Sequence, residues 1–116
     1  MNRRNLVEFV VHGVRYAFPA ERSVETRGIP TAHAHPLLRA QFAETDELPP
    51  VWPSAHGKTR GLGFEPLYAG APAAAAQDDE LYAMLAFIDA IRGGRARERA
   101  IAAELFESTL RREPLA

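Results

Sequence analysis

Apolar and polar positions alternate at the start of the chain. In the run NLVEFVVHGVRYAF, residues 5–18, Val7, Phe9 and Val11 are spaced by two, and so are Val14, Tyr16 and Phe18. A two-residue turn at His12-Gly13 sets Val11 opposite Val14, Phe9 opposite Tyr16 and Val7 opposite Phe18, all on one face. The pattern predicts a β-hairpin over residues 5–18, because side chains alternate across a strand with period 2. Glycine supplies the positive φ that tight hairpin turns use, which makes His12 a turn residue.

The other end of the chain has a different period. Leu81, Met84, Leu85, Ile88 and Ile91 recur at helical spacing behind Asp78, Asp79 and Glu80, whose charges suit a helix N-terminus. Gly93-Gly94 stops that helix. A second stripe, Ile101, Ala102, Leu105 and Phe106, follows within residues 96–112, with Glu107 and Arg111 as an i,i+4 pair on the opposite side. Residues 78–112 therefore read as an antiparallel helical hairpin.

Residues 19–76 between them hold eight of the nine prolines. Proline removes an N–H and restricts its predecessor, so a proline-rich irregular wrap with short elements is expected. A two-turn helix over Pro36 to Ala43, with Leu37, Leu38 and Phe42 inward, and an edge strand within residues 61–68 are the best candidates. Trp52, Phe64 and Tyr68 are candidates for packing against a partner. The fold class is α+β: one small domain of N-terminal hairpin, irregular middle and C-terminal helical hairpin.

Composition adjusts this picture in two places. Leu, Ile, Val and Phe together supply only 27 of 116 residues, while Ala supplies 21. So thin a core favours burial of some apolar surface against a second copy of the chain or a partner protein. There is no cysteine, which excludes disulfides, thiolate zinc sites and cysteine nucleophiles and fits a reducing cytoplasm. No signal peptide or membrane-length apolar run is visible. The net charge of −1 gives no whole-chain field for nucleic acid, so such a role requires a local basic patch.

Candidate chemistry is sparse. No serine sits in a G-x-S-x-G elbow, and GKTRGLG, residues 57–63, lacks the upstream glycine of a phosphate loop. A non-enzymatic protein without a cofactor is expected. The alternative is a zinc-type site: in TAHAHP, residues 31–36, an extended backbone projects His33 and His35 to one side, with His56 a third ligand and Asp46 or Glu47 a carboxylate. Two basic clusters are candidates for DNA phosphate contacts. One is Arg3, Arg4 and Arg15 at the expected hairpin; the other is Arg92, Arg95, Arg97 and Arg99 around the glycine link.

The strings NLVEFVVHGVRYAFPAE, TRGIPTAHAHPL and LYAMLAFIDAIRGGRARERAIA resemble the C-terminal part of bacterial MarR-like winged-helix transcriptional regulators, the part without the helix-turn-helix. The resemblance implies a wing at residues 5–18, Arg3, Arg4 and Arg15 as wing phosphate contacts, and a regulatory, DNA-binding role.

Overall fold

The chain opens with a capped helix. In the computed structural model, which describes residues 2–112, the Asn2 side chain accepts the backbone N–H groups of Arg4 (2.8 Å) and Asn5 (3.4 Å), satisfying donors that a helix start leaves unpaired. Helix α1 covers residues 3–17 as α-helical Arg3–Glu8, a π-helical turn at Phe9–Gly13 and α-helical Val14–Ala17. The hairpin expected over residues 5–18 is not formed, and His12-Gly13 lies inside the π turn. The physical reason is an ambiguity of period. Leu6, Val10 and Val14 are spaced by four and make a helical stripe as good as the alternating one. That stripe packs into the main apolar core, and tertiary burial outweighs the strand preference of a valine-rich run.

The strands lie mid-chain instead, in the zone expected to be irregular. Strand β1 is Arg22–Pro30, β2 is Pro50–Pro53 and β3 is Thr59–Phe64. The first part of β1 pairs antiparallel with β3 and its last residues pair antiparallel with β2, while β2 and β3 run parallel. The three strands close into a minimal barrel. Pro30, Pro50 and Pro53 occupy strand termini, where the missing N–H interrupts the ladder least. Closure on so few strands forces backbones together. A Cβ on Gly28 would overlap the Trp52 carbonyl, and one on Gly61 would overlap the Pro49 carbonyl.

A 3₁₀ turn, Ala32–Ala34, leads into helix α2, Pro36–Arg39. This is one turn where two were expected; Leu38 is buried, whereas Leu37 is exposed. Helix α3, Ala71–Gln77, grows from the alanine run. Helices α4, Asp79–Gly93, and α5, Ala96–Arg112, follow the C-terminal stripes. Asp78 caps α4 through the N–H groups of Glu80 and Leu81.

Helix α4 joins the two halves. Its Phe87, Ala90 and Ile91 pack with Val10 and Val14 of α1, Leu38 of α2 and Phe106 of α5. Its Leu85 packs with Trp52, Ala71 and Ala75 in a second cluster beside the barrel. Burying these faces is the main stabilising term, at roughly 25 cal/mol per Å² of apolar surface.

A buried polar node fixes the junction. Asp89 Oδ2 accepts from Thr31 Oγ1 (2.6 Å) and Trp52 Nε1 (2.8 Å), and Oδ1 accepts from Arg92 Nη1 (3.1 Å). The Arg92 guanidinium also donates to the Phe18 carbonyl (3.0 Å) and the Glu65 carbonyl (3.3 Å) and lies over the Phe64 ring. One ion pair thus ties the end of α1, the end of β1, strand β2 and the segment after β3 to α4. Burial pushes the Asp89 carboxyl up to about 6, against the lowering pull of Thr31, Arg92 and Trp52.

Candidate functional site

The outward face of the β1–β3 ribbon carries the most distinctive surface chemistry. The tripeptide Thr-Arg-Gly occurs twice, at residues 26–28 and 59–61, and the register pairs the two copies with each other: Thr26 with Gly61, Arg27 with Arg60, Gly28 with Thr59. Paired residues share a face. The glycines therefore turn inward, where neighbouring backbone leaves no room for a side chain, and the two arginines turn outward side by side. Lys58, in the connection immediately before β3, is a third cation close by in the chain. All three cations are exposed. Glu25 bonds to Arg60, while Arg27 and Lys58 have no ion-pair partner among the described residues.

Like charges directly opposite each other in a ribbon are destabilising. Folding alone gives no reason for Arg27 and Arg60 to stand together. The neighbouring glycines sit against backbone carbonyls that leave no room for a Cβ, so the strand pairing that sets Arg27 opposite Arg60 is closely constrained.

The histidines do not converge. His33 lies in the 3₁₀ turn with Nδ1 3.8 Å from Glu98 Oε2. His35 is buried: its Nδ1 accepts the Leu37 N–H (3.1 Å) to cap α2, and its ring meets Tyr82 edge-on at 4.4 Å. Burial lowers its pKa. His56 is exposed in the β2–β3 connection. The expectation that His33 and His35 share a side fails because their backbone is a tight turn rather than a strand. Among the described residues no group of three or more His, Cys, Asp or Glu side chains is placed to hold a metal. Glu47 receives the Arg95 guanidinium instead (3.3 Å), and Asp46 is exposed.

The seven arginines selected from sequence are dispersed. Arg3 and Arg4 lie on the first turn of α1. Arg15 stacks on Tyr16. Arg92 is the buried cation of the polar node, its side chain only 3% exposed, and has no free face for phosphate. Arg97 covers the Phe42 ring, and Arg99 donates to the Gly94 carbonyl (2.9 Å). Of the three aromatic packing candidates, Trp52 and Phe64 are enclosed in the chain's own interior, while Tyr68 is about half exposed. Sequence reasoning missed Arg27, Lys58 and Arg60, although the repeated tripeptide was a visible signal.

Two hollows, of about 390 and 370 Å³, share His33 and Glu47; the first lies between the barrel and the segment after α2, the second between the barrel and the α4–α5 junction. Their carboxylates already have partners: Glu47 pairs with Arg95, Glu44 with Arg39, and Glu98 accepts the Arg95 N–H (2.9 Å) and lies 3.8 Å from His33 Nδ1. No helix among the described residues is long and apolar enough to cross a membrane.

No family model, curated protein or solved structure matches the chain.

Proposed function

We propose that this chain is a non-enzymatic regulatory protein of the cytoplasm that contacts the sugar–phosphate backbone of DNA through Arg27, Lys58 and Arg60. The paired Thr-Arg-Gly copies carry the reading: two guanidiniums held side by side at a cost to the sheet, with an unpaired lysine beside them. Arginine forks match phosphate oxygens bidentately, and a two-stranded ribbon fits a DNA groove. Phosphate contacts position a protein on the duplex without reading sequence. The resemblance to MarR-like regulators also implies a DNA-binding role, but the wing it implied at residues 5–18 is helix α1, so the ribbon assignment rests on the paired Thr-Arg-Gly copies alone.

The test is fluorescence anisotropy with a labelled duplex from the gene's own upstream region, beside a scrambled duplex, at low salt. The wild type binds, and Arg27→Ala/Lys58→Ala/Arg60→Ala loses at least tenfold in affinity while keeping its circular dichroism spectrum. Equal binding by the folded triple variant would overturn the assignment.

A further inference from the structure

Among the described residues, no element packs over the outer side of the helical layer. Helices α1 and α5 both pack on α4 through Val10, Val14, Ala102 and Phe106. At the edge of that core they leave a groove of about 670 Å³, lined in part by Val11 and by Val7 and Ala103, which are half-buried against the core. Its rims differ in charge. Arg3 and Arg4 stand on the α1 rim, and Glu104 and Glu107 on the α5 rim. Glu8 and His12 continue the first rim, and Arg111 closes the second, paired to Glu107 at 3.2 Å. Arg3, Arg4, Glu8 and Glu104 have no ion-pair partner among the described residues, so charges lie unmatched along both rims.

We propose that this groove is the interface with a second copy of the chain. A two-fold axis along the groove sets the α1 rim of each copy against the α5 rim of the other. Each Arg–Glu match is then made twice, as a self-complementary two-fold interface requires. The two α1 helices and two α5 helices form a four-helix bundle over the paired apolar floors. Pairing also covers surface that this alanine-rich chain leaves open. The proposal does not depend on the DNA reading, because Arg27, Lys58 and Arg60 take no part in it.

Sedimentation velocity of the full chain across a hundredfold concentration range tests it. The expected species has twice the 12.8 kDa chain mass. Ala103→Glu, which puts a charge on the floor, weakens self-association at least tenfold with helix content unchanged. Should that variant unfold, the rims give an independent test. Arg3→Glu/Arg4→Glu and Glu104→Arg/Glu107→Arg each weaken the homodimer, and mixing the two charge-reversed chains restores a dimer, because both rim contacts then pair opposite charges. A wild type that stays monomeric at every concentration overturns the proposal. So does a dimer that neither Ala103→Glu nor the charge reversals weaken.

Discussion

The helical layer and the strand barrel are held by different physics. In the layer, α1, α4 and α5 meet through aliphatic and aromatic side chains with hydrophobic faces as their only specification. The barrel closes on glycines that leave no room for a Cβ beside neighbouring carbonyls, and is tied to the layer by the buried Asp89–Arg92 pair as well as by Leu85 packing on Trp52. The layer is therefore tolerant of shape, while the barrel is tolerant of almost nothing. Arg92, Arg97 and Arg99 of the layer find carboxylate, ring or carbonyl partners within reach. On the ribbon, Arg60 is paired with Glu25, whereas Arg27 has no ion-pair partner among the described residues.

The largest expected effect is at the node. Asp89→Ala leaves Arg92 buried without its anion and strips Thr31 and Trp52 of their acceptor, costing about 3–5 kcal/mol; urea denaturation measures it. Next comes a direct contrast between the two regions. Gly28→Ala forces the Trp52 carbonyl away and costs about 1–3 kcal/mol. Ile91→Leu in the layer keeps its volume and costs under about 1.5 kcal/mol. Equal sensitivity at the two positions would remove the distinction.

Two buried groups, one on α4 and one against it, give pH dependences of opposite sign. Asp89 has a folded pKa raised to about 6 from 3.8, so folding takes up a proton between those values. Its contribution is largest at the acid end and is lost as pH rises through about 6. His35 runs the other way. Burial lowers its folded pKa, so the unfolded chain binds the extra proton, and stability is lost as pH falls below 6.5. His35→Asn, which keeps a side-chain acceptor for the α2 cap, is expected to lose less stability than the wild type between pH 7 and 5.

The smallest effect tests α1 itself. Gly13 has φ −116°, open to any residue, and a Cβ there meets only the movable Phe9 ring at 3.2 Å. Gly13→Ala should be neutral or stabilising by up to about 1 kcal/mol. In a hairpin turn with positive φ the same change would destabilise.

Legibility in the sequence followed this division. The C-terminal stripes have one period, and α4 and α5 follow from them; Asp78 and the glycine link mark their ends. Residues 5–18 satisfy period 2 and period 4 together, and only the core they pack against chooses between them. The barrel was illegible because its strands interrupt alternation with glycines that make room for backbone, and because its pairings are distant in sequence. The polar node brings Thr31 and Trp52 to Asp89, 58 positions beyond Thr31, and to Arg92 beside it, a constellation that local spacing does not register. The ribbon site was nearer to view. Two copies of Thr-Arg-Gly are plain in the chain, and their significance lies in the register that pairs them.

The most direct measurement is the salt dependence of DNA binding by the wild type and by Lys58→Ala. Counterion release gives a slope of log K against log salt of about −0.9 per neutralised phosphate. The ribbon assignment predicts a slope near −3 for the three cations, reduced by about 1 in the variant at every DNA sequence tried. A folded wild type that fails to bind at low salt, or a slope unchanged by Lys58→Ala, would contradict it.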